Sequence, residues 1–129
     1  MDEFQSTANR IRKYFEDLEE YRGLSLDEKR DYYAASMVVF SIINESLMCS
    51  ELFMAKKHFG APSTYKEMID ALAQKGIVEQ GLAGRMKVLI TLRNMISHEY
   101  GEIKPKDIVG LIRKIDVARE FVSALAKKY

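Results

Sequence analysis

The stretch AASMVVFSIINESLMCSELFMA, residues 34–55, decides the fold, because it is apolar in nearly every direction around a helix axis. Carboxylates at Glu45 and Glu51 are costly in lipid, so the stretch indicates a buried helix of a soluble protein rather than a membrane span. A helix that is apolar all round must be covered on more than one side. In a chain of 129 residues a second copy is a natural cover. We therefore expect a homodimer that packs through its central apolar helices.

Apolar residues spaced three and four apart predict further helices on both sides of this stretch. One amphipathic helix runs from Phe4 to Leu18 and stops near Gly23. Capping boxes, in which Ser or Thr is followed three residues later by Glu, predict two helix starts: Ser25 with Glu28, and Thr64 with Glu67.

The second half of the chain continues the helical pattern. A fourth helix is expected to begin between Glu79 and Leu82 and to end at Gly101, and a last helix starts at Pro105 and keeps one apolar face to Leu125. The sequence has no alternating strand pattern and no internal repeat. The prediction is an all-α bundle of about five helices, forming one domain over residues 1–129.

The overall composition narrows the classes of function. The net charge is +1, from 20 basic and 19 acidic residues, so any binding to nucleic acid has to rest on a local patch. The first residues lack the basic and apolar regions of a signal peptide, and the single cysteine, Cys49, lies in the apolar stretch as a small buried side chain. These features favour a cytoplasmic protein that does not associate with a membrane.

Candidate chemistry lies in the segment RNMISHEY, residues 93–100, at the end of the fourth helix. At about 100° per residue, Arg93 falls within an apolar stripe, where a guanidinium has to be paired, reach solvent or face an anion. Its planar fork of donors suits a phosphate. The structural alternative is a salt bridge to an interface carboxylate such as Glu45 or Glu51.

His98 lies about 140° around a regular helix from Arg93, so the two share a site only if the last turn unwinds or a second copy brings them together. Tyr100 returns to the Arg93 side if the turn continues. The alternative for His98 is a helix-end imidazole that interacts with the helix dipole. The chain has two histidines and no clustered metal ligands, so we expect no metal, and no cofactor motif is present.

The motif formed by Arg93, Asn94, His98 and Tyr100 resembles the R-x4-H-x-Y signature of HepT-like proteins in the HEPN superfamily. The segments PSTYKE at residues 62–67, LAQKGIV at residues 72–78 and GEI at residues 101–103 resemble the same family in order and spacing. The resemblance covers roughly residues 30–125.

The resemblance implies a homodimeric, metal-independent endoribonuclease that acts as the toxin of a toxin–antitoxin pair. Its antitoxin would be a minimal nucleotidyltransferase, similar to MntA, which inactivates the toxin by transferring AMP to Tyr100. Arg93 and His98 would be catalytic, and Asn94 would help to shape the site. Two alternatives remain open: a non-catalytic HEPN subunit that binds nucleotides or a nucleotidyltransferase, and a purely structural dimerisation module.

Overall fold

The computed structural model describes residues 1–98 and 103–129, without the side chains of residues 97 and 98. The described residues form helices and no strand, which confirms the predicted all-α bundle. The helices are α1 (Glu3–Leu18), a short 3₁₀ turn (Glu19–Tyr21), α2 (Lys29–Lys57), α3 (Tyr65–Gln74), α4 (Gln80–His98), α5 (Pro105–Lys114) and α6 (Asp116–Lys128).

Helix α2 is the centre of the bundle and packs against all five other helices. Its residues Val39, Ile42, Ile43 and Phe53 are completely buried. Each such side chain stabilises the fold by about 1.5–3 kcal/mol relative to an exposed position. The stretch that is apolar all round is therefore the hub of the core.

The observed start of α2 differs from the one that the sequence predicts. The predicted capping box of Ser25 with Glu28 is wrong. Glu28 itself is the N-cap residue and makes no capping hydrogen bond with its side chain, and the Ser25 hydroxyl donates to the Asp27 carboxylate. At the other end the helix stops at Lys57, and His58 follows in the left-handed conformation (φ 57°). Buried Leu26 holds the chain just before the start of the helix.

The capping prediction at Thr64 is confirmed, since its side chain accepts a hydrogen bond from the Glu67 backbone N–H at 3.1 Å. The predicted last helix is divided in two at Ile115, where the N–H donates to Ile112 O, three residues back, at 3.4 Å. Ile115 is fully buried, and its packing holds the tightened turn between α5 and α6. A continuous apolar face along the sequence does not reveal such a break.

One face of α2 is not covered by the rest of the chain. Tyr33 and Met37 are each 62% exposed and Met48 is 39% exposed. At about 100° per residue these three positions lie within a narrow sector of the helix, together with Phe40 and Asn44. We call this set, Tyr33, Met37, Phe40, Asn44 and Met48, the α2 stripe.

By length and composition α2 is also the one candidate for a membrane span among the described residues, but 56% of its most apolar window is buried inside the protein. This burial fits the central helix of a helical bundle.

Cys49 provides a test of the packing around α2. Burial, with a smaller contribution from the charge of Glu45, raises the pKa of the Cys49 thiol to about 12. Near neutral pH the folded protein therefore holds about 1000-fold less thiolate than an ordinary cysteine would. We expect iodoacetamide to leave the native protein unmodified and to label it fully in denaturant, as followed by intact mass. Rapid labelling of the native protein would contradict this packing.

Candidate functional site

Arg93 lies on α4, partly buried, where this helix passes α2. Its Nη1 donates to Asn44 Oδ1 of α2 at 3.0 Å. Its Nε and Nη2 both donate to Asn94 Oδ1, at 3.2 and 2.7 Å. Hydrogen bonds that involve a charged group each contribute about 1.5–3 kcal/mol, so two amide oxygens on two helices fix the guanidinium.

The groups that hold Arg93 are neutral amides, so they do not neutralise its positive charge. A guanidinium has five N–H donors, and the two amides use three of them. The remaining two suit a pair of phosphate oxygens, because a planar fork binds an anion with two parallel hydrogen bonds.

Within the chain, Arg93 forms no salt bridge with Glu45 or Glu51. Glu45 pairs with Arg10 of α1, with 3.2 Å between Nη2 and Oε2. Glu51 interacts with Tyr65 instead, at the start of α3. Among the described side chains, no carboxylate lies within ion-pair distance of Arg93.

Tyr65 extends the site beyond the arginine. The Arg93 Cζ lies 5.7 Å from the centre of the Tyr65 ring, within the range of a cation–π contact. The Glu51 carboxylate raises the pKa of Tyr65 through its interaction with the hydroxyl; burial adds to this effect and the charge of Arg93 opposes it. Tyr65 therefore stays a neutral phenol near physiological pH.

A groove of about 820 Å³ opens beside this cluster, between the end of α2, the loop before α3, and α4. Its size is within the range of small-molecule sites in proteins. Asn94 and Ile90 line it from α4, and Glu51 and Met54 from α2. The residues contributed by the loop and α3 are Gly60, Ala61, Pro62, Ser63, Thr64, Tyr65, Lys66 and Met68, with Ala55 at the end of α2.

The structure thus brings together Arg93 and Asn94 of the predicted site. His98 is the last residue of α4, but its side chain lies outside the described part of the chain, and so does Tyr100. Within the described residues no group of three or more His, Cys, Asp or Glu side chains is placed to hold a metal ion.

Sequence reasoning missed Asn44 and Tyr65 as parts of the site. Asn44 is the one amide in the apolar stretch of residues 34–55, and that isolation was the available signal. Its partner Arg93 is 49 positions away, so the contact arises only from the packing of α2 against α4. Tyr65 follows the helix cap Thr64, and nothing local links it to Arg93.

A family model described as "Ribonuclease HepT-like" matches residues 4–125, nearly the whole chain. The protein belongs to the ribonuclease HepT-like family. The resemblance based on residues 93–100 and their flanking segments is thereby confirmed. A sequence comparison with curated proteins finds no match.

Several solved structures of toxin–antitoxin proteins share this fold. A tri-AMPylated Shewanella oneidensis HEPN toxin in complex with MNT antitoxin superposes with a TM-score of 0.84 at 14% identity, covering 98% of this chain and 99% of the other. A toxin–antitoxin structure with AMP-PNP gives 0.81 at 14% identity, covering 97% and 99%. A mutant of the MntA–HpeT toxin–antitoxin gives 0.82 at 14% identity, covering 96% and 97%. At this identity the likeness establishes the shared HEPN fold.

Proposed function

We propose that this HepT-like protein is a metal-independent endoribonuclease whose site forms between two copies of the chain. The observation that carries the proposal is the Arg93 guanidinium, held by Asn44 and Asn94 at the edge of the α2 stripe with donors left for a phosphate. Arg93 binds the scissile phosphodiester, Asn94 positions Arg93, and His98 transfers protons.

The chemistry needs only these groups and the RNA itself. The 2′-hydroxyl gives its proton to a base and attacks the adjacent phosphorus, the P–O5′ bond breaks, and the departing 5′-oxygen takes up a proton. The products are a 2′,3′-cyclic phosphate and a 5′-hydroxyl. Histidine exchanges protons near neutral pH, and a fixed guanidinium stabilises the additional negative charge of the phosphorane. The required 2′-hydroxyl restricts cleavage to RNA.

A second copy of the chain brings Arg93 and His98 into one site, which a single regular helix does not. Arg93 and His98 are about 140° apart around a regular α4, so one copy directs them to different sides. The α2 stripe exposes Met37 and Tyr33, and Asn44 within the stripe binds Arg93. Pairing two stripes buries these apolar side chains and brings both copies of the motif to one groove. The two copies also concentrate positive charge in a chain of net charge +1.

The proposed partner is a minimal nucleotidyltransferase antitoxin, similar to MntA, in the same cytoplasm. The fold relatives described as an AMPylated HEPN toxin with MNT antitoxin and as a toxin–antitoxin with AMP-PNP support this pairing. Tyr100, the tyrosine of the motif, is the proposed acceptor of AMP. A phosphate ester there adds bulk and negative charge next to the binding site, and repels the RNA phosphate.

An RNA cleavage assay in EDTA tests the proposal. We expect the wild type to cut single-stranded RNA and the His98→Ala variant to lose about 10²–10⁴-fold in rate, the usual contribution of a proton-transfer group. Addition of the nucleotidyltransferase with ATP should silence the wild type but not an active Tyr100→Phe variant. Equal inertness of wild type and His98→Ala, with the nucleotidyltransferase still bound, would establish the accessory subunit instead.

A further inference from the structure

The groove beside Arg93 has features that phosphate binding does not explain. Its walls combine an aromatic ring, Tyr65, with a carboxylate, Glu51, and apolar side chains such as Met54 and Ile90. A carboxylate inside the groove repels a phosphate. Two positive groups accompany it: Lys66 lines the groove, and Arg93 lies beside it, in contact with Tyr65 and with the lining residue Asn94.

We propose that this groove binds a nucleobase of the RNA, stacked on Tyr65, next to the phosphodiester held by Arg93. The inference rests on the proposed function and extends it to the choice of substrate. Aromatic side chains bind single-stranded RNA by stacking on unpaired bases, which is the usual basis of sequence-selective RNA recognition. Tyr65 is 37% exposed, so surface of its side chain is open to a ligand.

The spacing of Arg93 and Tyr65 fits one short piece of RNA. Only 5.7 Å separates the guanidinium carbon of Arg93 from the centre of the Tyr65 ring. A phosphate on the guanidinium and a base on the ring therefore belong to the same nucleotide or to neighbouring ones. The negative backbone stays at the positive rim, and the uncharged base enters the groove.

Glu51 gives the groove a preference among the bases. A carboxylate accepts a hydrogen bond from an exocyclic amine, as carboxylates do from the amine of cytosine. Adenine, cytosine and guanine each carry such an amine. Uracil offers only its ring N3–H, and the two carbonyl oxygens on either side of that donor repel a carboxylate. The groove therefore selects an amine-bearing base and disfavours uracil beside the cleaved bond.

The experiment compares binding of single-stranded RNA whose 2′-hydroxyls are methylated, which is bound without being cut. We expect Tyr65→Leu to weaken binding about 10- to 100-fold, the contribution of one stacked base, and Tyr65→Phe to bind within a few-fold of wild type. Tyr21→Leu is the matched control, because Tyr21 is also partly buried but lies with Leu24 and Val109 in a different groove. Thermal unfolding confirms that each variant is folded.

A second readout tests selectivity. The wild type is incubated with a random RNA pool, and the ends of the products are sequenced. These ends should be depleted of uracil at one position next to the cut. The Glu51→Gln variant should show less depletion of uracil. Unchanged binding by Tyr65→Leu, or cut sites indifferent to uracil, would overturn the inference. Because the methylated RNA reports binding without cleavage, an inactive wild type would refute the nuclease and leave the groove independently tested.

Discussion

Arg93→Ala is expected to lower the rate of RNA cleavage by about 10²–10³-fold, the usual loss when one fixed donor to the transition state is removed. The guanidinium is held by amides on two helices, so no reorganisation is needed when charge develops on the phosphorane. Arg93→Lys keeps the charge but not the planar fork, and should recover only a small part of the loss. Initial rates in EDTA, with thermal unfolding of each variant, provide the measurement.

Arg85→Ala is the matched control for Arg93. Arg85 is on the same helix α4, and its side chain is 57% exposed and pairs with Glu120 at 3.3 Å. An exposed ion pair contributes little to stability, so this variant should fold and cut RNA like the wild type. If Arg93→Ala were as active as Arg85→Ala, Arg93 would have no role at the phosphate.

The second large effect is expected from the α2 stripe. The double substitution Met37→Glu and Met48→Glu places charges in the proposed interface and should yield a monomer that no longer cleaves RNA, although residues 93–100 are unchanged. Burying unpaired carboxylates costs several kcal/mol per group, enough to dissociate the pair. Both methionines are exposed in the single chain, so its own fold should survive. Light scattering and the cleavage assay report the two effects.

Leu24→Glu controls for the added charge. Leu24 is 42% exposed and lies outside the α2 stripe, so its substitution should leave both mass and activity unchanged. A monomeric stripe variant that still cleaves RNA at the wild-type rate would show that one copy of the chain is sufficient.

The fold was predictable because its strongest signals are local. The apolar stretch of residues 34–55 fixed the central helix, and the cap at Thr64 placed the start of α3. The predictions that failed concern features that are set by packing rather than by the local sequence. Ser25 has the sequence of a cap but bonds to Asp27, and buried Ile115 breaks a helix whose apolar spacing continues through it.

The site was predictable only in part, because packing between distant parts of the chain brings its members together. The motif singled out Arg93, and the family match confirms the resemblance that motif carries. The partners of Arg93 come from elsewhere in the chain: Asn44 from α2 and Tyr65 from α3. Glu45, which the sequence offered as a possible interface partner of Arg93, pairs instead with Arg10 of α1. Tertiary contacts between distant helices decide which groups meet.

The most direct test of the paired site is the mass of the species that cleaves RNA. The unmodified chain is separated by size with in-line light scattering, and each fraction is assayed for RNA cleavage in EDTA. We expect the activity to elute with a species of about twice the chain mass of 14.9 kDa. Activity that elutes with the single-chain mass would contradict this expectation.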